Sequence, residues 1–277
     1  MINFFPCEPP WKKFKRNPNL KLIKSDGNYT LFYPIVTPDG TQIYCLRGGS
    51  EMTYWFGGTL WKMKTDGTEA TEVLSDTFCA LAISANGQKL ALATKTEETG
   101  GKLVIFDLVG LTLDTILTSH SDIFDVVFSK TDPQKIYYCS KNYGVYRINI
   151  DGSGEELINP SIRNYFDLTS SDSIITRMPY YHPKPRVHPS LPYIAYIKPK
   201  PVAGAYAKTD DIILVNMETM DTTYLNANPY KYSWIFFPYW FPDGNKLIFT
   251  AYEFVGGDPL RLRPGGEIWL LEKVFNK

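Results

Sequence analysis

Residues 237–253 read FPYWFPDGNKLIFTAYE, a Pro-Asp-Gly flanked by two apolar, aromatic-rich runs. Proline suits the second position of a tight turn. Aspartate can hydrogen-bond the backbone two residues on, and glycine tolerates positive φ. The flanking residues favour a pleated, half-buried surface. This stretch therefore predicts strand, turn, strand, with Asp243 present for turn geometry rather than for chemistry.

Four more stretches follow the same grammar: TPDGTQIYCL, SANGQKLALA, KTDPQKIYYC and HPSLPYIAYI. The first apolar residues after the five turns are Ile43, Leu90, Ile136, Ile194 and Leu247, at intervals of 47, 46, 58 and 53 residues. A third strand recurs as LWKMKTDG, LVIFDLVG, VYRINIDG, IILVNMET and IWLLEKVF, and short fourth strands follow in TEVL, LDTIL and EELIN. The alternation in LWKMK and VYRIN has the period of two that a half-buried strand requires. Four-stranded units repeated at this interval predict an all-β fold, a β-propeller of four-stranded blades. Five repeats are countable, and a degenerate sixth between Pro160 and Pro189 is not excluded. The last copy ends after its third strand, so NLKLI near the N-terminus is expected to supply the missing strand and close the ring. The expected organisation is an N-terminal arm over residues 1–19 and one propeller domain over 20–277.

These units resemble the Pro-Asp-Gly repeats of TolB-like β-propellers. The motif is intact at Pro38-Asp39-Gly40 and Pro242-Asp243-Gly244, and drifted at Ala85-Asn86-Gly87, Thr131-Asp132-Pro133 and Pro189-Ser190-Leu191. The resemblance covers nearly all the chain from Leu20 onward. It implies the fold and leaves the activity open, because propellers host many functions.

Composition narrows the partners. The 277 residues carry 29 basic and 29 acidic side chains, so no global field recruits nucleic acid or an anionic membrane. No apolar run is long enough to span a bilayer as a helix. The first residues place an apolar patch before the basic cluster, the reverse of a secretory signal. The expected compartment is the cytoplasm if Met1 is the natural start, and the periplasm if an export signal has been removed. Cys7, Cys45, Cys79 and Cys139 form no metal-ligand spacing, and the last three lie in apolar runs as small buried hydrophobes.

In an up-and-down blade the first-to-second and third-to-fourth turns share one face, and these turns are short throughout. The opposite face receives the long connections, including RGGSEMTYWFGG, KPKPVAGAYAKTDD, EFVGGDPLRLRPGGE and the 49-residue step from Val145 to Ile194. Loops of this length are usually functional or disordered. The expected binding surface is therefore the long-loop face. Tyr54, Trp55, Tyr180, Tyr181, Tyr232 and Trp234 supply stacking area there, Arg177, Arg186 and Arg263 attract an acidic group, and His182 belongs to the same expected binding surface. The expected function is non-enzymatic binding of a protein segment or a glycan, without a cofactor or a metal.

The alternative is a carbohydrate-active lyase or hydrolase on acidic sugars, using His182 and His188 in YYHPKPRVHP. That cluster is similar to the His-rich site of oligogalacturonate lyases, but this chain has only three histidines, and a catalytic metal usually takes three protein ligands. There is no G-x-S-x-G elbow, and the Asp-Gly pairs read as turns.

Overall fold

A computed structural model describes residues 14–49, 57–94, 101–140, 143–162, 165–176, 182–201, 208–254, 263 and 265–275. Within them the chain is all β, in antiparallel sheets ordered largely as consecutive meanders. The first sheet joins two repeats. It contains β2 (Thr30–Val36), β3 (Gln42–Gly48), β4 (Gly58–Lys64), β5 (Thr71–Ile83), β6 (Lys89–Thr94), β7 (Leu103–Asp107) and β8 (Leu113–Ile116). The 13-residue β5 serves both repeats. Its first half pairs with β4, as in Leu60↔Leu74, and its second half with β6, as in Ile83↔Leu90.

The next sheet is β9 (Ile123–Phe128), β10 (Lys135–Ser140), β11 (Gly144–Asn149) and β12 (Glu156–Asn159). A two-stranded unit follows, β13 (Phe166–Leu168) with β14 (Ile174–Thr176). Then come β15 (His182–Val187), β16 (Tyr193–Pro201), β17 (Lys208–Asn216) and β18 (Thr222–Tyr224). The last sheet combines β19 (Ser233–Trp240), β20 (Leu247–Glu253) and β21 (Glu267–Leu271) with the N-terminal β1 (Leu20–Lys24). The segment NLKLI does pair antiparallel with β21, Leu20 opposite Leu271 and Leu22 opposite Trp269. Arg16, in the expected arm, also lies on this sheet, 4.9 Å over the Trp269 ring.

The innermost strands contact one another in the order β2, β5, β9, β13, β15, β19 and back to β2. The sequence favoured five repeats. The contacts pass through a further, two-stranded unit, and β13–β14 accounts for the long 58-residue interval. This unit was hard to see because its three-residue strands are too short to show a period.

The five anchor residues Ile43, Leu90, Ile136, Ile194 and Leu247 are all buried in the second strands of their units. Cys45 and Cys139 are buried free thiols, and burial pushes both up to about 12. The turns behave as their residue types require. Asp39, Asp66, Asp151 and Asp243 each accept a hydrogen bond from the backbone N–H two residues on, at 3.1, 2.9, 2.9 and 2.9 Å. The glycines that follow them have φ between +66° and +87°. In each turn that glycine N–H also closes an i to i+3 bond, as Gly244 to the Phe241 carbonyl at 2.9 Å.

The HPSL turn at 188–191 lacks both Asp and Gly, and His188 takes over the capping. Its Nε2 donates to the Gly244 carbonyl at 2.8 Å, while Nδ1 accepts from the Ser190 and Leu191 N–H groups at 3.1 and 2.8 Å. The ring packs edge-on against Trp240, 4.6 Å between centroids. Burial lowers the His188 pKa below its ordinary value, with the Gly244 hydrogen bond opposing. Protonation at Nδ1 would also set a third N–H against two donors.

Two outcomes follow from this pair of turns. A Cβ at Gly244 would lie 2.5 Å from the His188 ring at a φ of +66°. Gly244→Ala is therefore expected to cost about 1–3 kcal/mol in urea unfolding. Because the folded His188 pKa is depressed, its stabilising contribution is complete above pH about 6.5 and is lost as pH falls through the folded value. His188→Gln should flatten the urea midpoint between about pH 8 and pH 5 relative to the parent, and an unchanged slope would remove His188 from the acid response.

Candidate functional site

Three innermost strands break their pairing at one level, each at a residue followed by proline. The register shifts between Phe32 and Ile35, between His182 and Arg186, and between Phe236 and Tyr239. Tyr33, Lys184 and Phe237 sit in these bulges with φ of +58°, +65° and +51°, immediately before Pro34, Pro185 and Pro238. Positive φ is unusual for such residues, and a following proline restricts the backbone further. Each such residue costs about 1–3 kcal/mol unless its surroundings hold it.

The surroundings here are one another. Tyr33 stacks on Phe237, 4.6 Å between centroids, and Lys184 Nζ lies 4.2 Å from the Tyr33 ring centroid. Lys184 Nζ donates to Asp125 Oδ1 and to the Tyr33 hydroxyl, and that hydroxyl donates to Asp125 Oδ1. Asp125 also accepts from the backbone N–H groups of Val126 and Phe166, at 2.9 and 3.1 Å. The Lys184 and Asp125 side chains are wholly buried. Burial raises the Asp125 carboxyl, against the opposing pull of Arg186, and lowers the Lys184 ammonium. Whichever atom holds the shared proton, the pair is net neutral.

This cluster divides the channel. Toward the long-loop end lie Phe124, Tyr165, Phe236 and Trp234, all half-buried. Their rings are linked through the buried Phe237. Phe124 meets Tyr165 at 4.7 Å, Tyr165 meets Phe237 at 5.8 Å, Phe237 meets Phe236 at 6.0 Å, and Phe236 meets Trp234 at 6.1 Å. Trp234 also packs edge-on against Phe254 at 4.8 Å. Toward the short-turn end lies a cavity of about 220 Å³ whose wall includes Asp167, Arg186 and Tyr239.

The expected site residues separate on this frame. Tyr232 and Trp234 are half-buried on the long-loop side of the last sheet. Arg263 is nearby, its backbone N–H bonded to the Glu253 carbonyl and its guanidinium 3.0 Å from the Glu253 carboxylate. Arg186 instead lines the short-turn cavity, two residues beyond Lys184 on β15 and two before the His188 turn. Tyr54, Trp55, Arg177, Tyr180 and Tyr181 lie outside the described residues, as does the His182 side chain. His188 has both ring nitrogens engaged in turn contacts. Among the described residues no group of three or more His, Cys, Asp or Glu side chains is placed to hold a metal ion.

Sequence reading missed Phe124, Tyr165 and the Tyr33–Asp125–Lys184 cluster. The available signal was the proline after Tyr33, Lys184 and Phe237, each inside a strand where it marks a bulge.

Lys184→Met should destabilise the fold by about 3–5 kcal/mol, since it strands a buried carboxyl. Combining it with Asp125→Asn, which removes the stranded charge and keeps an acceptor for one of the two backbone N–H groups, should recover part of that loss in urea unfolding. Equal destabilisation in the single and double variants would show that the pairing does not matter.

No family model matches the sequence. Its curated relative, the nuclear pore complex protein nup43 of Dictyostelium discoideum, is 24% identical over 129 residues, 43% of this chain. The match spans 30% of that relative's length. Among solved structures, the RRP9 WD40 repeats superpose with a TM-score of 0.58 at 9% identity, covering 93% of this chain and 98% of that one. An oligogalacturonate lyase from Vibrio parahaemolyticus gives 0.54 at 10% identity, covering 90% and 79%. TolB from Acinetobacter baumannii aligns at 0.45 and 11% identity over 88% of this chain and 55% of its own. At these identities the structural likenesses speak to fold alone, and the fold is a β-propeller.

Proposed function

We propose that this chain is a non-enzymatic propeller whose long-loop face binds an extended segment of a protein partner. The observation that carries the reading is the set of half-buried rings Phe124, Tyr165, Phe236 and Trp234, linked through the buried Phe237 at the strand ends away from the Pro-Asp-Gly turns. Aromatic rings held on strands bury much area on binding and lose little conformational freedom. The exposed guanidinium of Arg263 stands beside them for an acidic group. The proposed surface also takes in Tyr54, Trp55, Arg177, Tyr180, Tyr181 and Tyr232, which the sequence assigns to the same face.

The similarity to a nuclear pore complex protein supports a role in holding an assembly together. The lyase reading needs both His182 and His188, and the second is committed to a buried turn. A glycan remains a second occupant that the same rings could stack on.

The test compares partners recovered from cells by the parent protein, by Trp234→Ala with Arg263→Glu, and by Asp151→Asn on the short-turn face. Loss of a central aromatic anchor typically costs about 2 kcal/mol or more of binding, roughly thirtyfold. The long-loop variant should therefore lose partners that the other two retain. Retention of every partner by all three proteins would end the assignment. Binding to a glycan array that depends on Trp234, without any dependent protein, would replace the protein partner with a sugar.

A further inference from the structure

The cavity at the short-turn end has a different chemistry from the aromatic face and is separated from it by the buried lysine cluster. We propose that it binds a carboxylate carried on a short apolar stem. The ends of β2, β5, β9, β13, β15 and β19 all contribute to its wall. Most of that wall is apolar, including Val36, Leu81, Val126, Phe128 and Trp240. At about 220 Å³ it lies below the range of roughly 300–1,000 Å³ that drug-sized ligands occupy. It suits one amino-acid side chain or a small organic acid.

Two buried charges stand in the wall, and they are not equally occupied. Asp167 is satisfied by the backbone: Oδ1 accepts from the Leu168 N–H at 2.9 Å and Oδ2 from the Val187 N–H at 3.0 Å. Arg186 is fixed in place, with its side chain 8% exposed and its guanidinium 5.1 Å from the Tyr239 ring centroid. Among the described residues its one hydrogen bond runs from Nε to the Pro238 carbonyl at 3.1 Å. Its closest approach to Asp167 is 3.9 Å, an ion pair too long for a hydrogen bond.

A guanidinium has five N–H donors in a planar fork. One is used here, so the remaining donors of a rigid, nearly buried cation border the cavity. A carboxylate matches that fork, because it can accept two parallel hydrogen bonds. A single negative charge is favoured over a dianion because Asp167 is close by. Lys130 at the exposed rim adds a second positive charge to the entrance. This site is independent of the partner surface proposed above, and either can fail without the other.

The experiment is calorimetric titration of the whole chain with 4-methylpentanoate, with its neutral amide, and with a short peptide ending in leucine as free acid or as amide. Each acid should saturate a single site, and each amide should bind on the order of tenfold more weakly, as expected for loss of a charge-assisted hydrogen bond. Arg186→Gln should weaken the acids by a similar factor. Ala82→Leu, which fills the cavity from β5 without altering any charge, should abolish binding and decides the matter if Arg186→Gln does not fold. A tighter acid peptide would identify the source as a partner's chain terminus, and binding of the free acid alone would identify a small molecule. Equal binding of acids and amides, acid binding that survives Ala82→Leu, or no saturation by any acid would overturn the proposal.

Discussion

A lysine with no contact with water organises the centre of this propeller. Lys184 touches Asp125 from one inner strand and Tyr33 from another, and Tyr33 in turn stacks on Phe237 from a third. Removing these charges from water is costly, and their mutual attraction repays that cost only when the geometry is good and the remaining acceptors are satisfied. Here the backbone N–H groups of Val126 and Phe166 complete the Asp125 shell. Three strained backbone positions become tolerable because each side chain is gripped by the others. An apolar plug would fill the same space, but it would not hold these strands in one register as specifically. The cluster thus separates the channel into an aromatic end and a cationic end, each free to acquire its own ligand.

The outer features depend on simpler chemistry. Asp or Asn followed by Gly makes several of the hairpins, Asp132 caps its turn without a glycine, and an imidazole does the same work at the 188–191 turn, which lacks both Asp and Gly. That substitution links two neighbouring turns, since His188 reaches across to the Gly244 carbonyl. The last two full sheets are therefore joined at the short-turn face by one side chain as well as by packing.

Much of the fold was legible in the chain because it rests on local rules. The anchors Ile43, Leu90, Ile136, Ile194 and Leu247 follow turn residues whose meaning is stereochemical, and the unpaired edge of IWLLEKV called for a strand that NLKLI could supply. The β13–β14 unit was harder, because three-residue strands give no period to read. The site was less legible still. Nothing local to Lys184 signals its burial, since that depends on an aspartate 59 residues away. Arg186 was expected on the long-loop face, yet it stands two residues before the 188–191 turn, and its place in the strand follows from that turn rather than from the long loop before it. Trp234 and Tyr232 were accessible to sequence reading because a run of aromatics beside a long connection is conspicuous in itself.

The pairing of β1 with β21 also governs how the molecule comes into being. Among the described strands β1 is synthesised first and its partner β21 last, so β1 must wait while the strands between them emerge and pair locally. Until then the nascent chain carries one solitary strand and, later, one sheet with an open edge, both of which invite pairing with other chains. Contacts so distant in sequence also slow folding, because the loop must close before the contact can contribute. The pairing of β1 with β21 is thus a late clasp between the strands most distant in sequence.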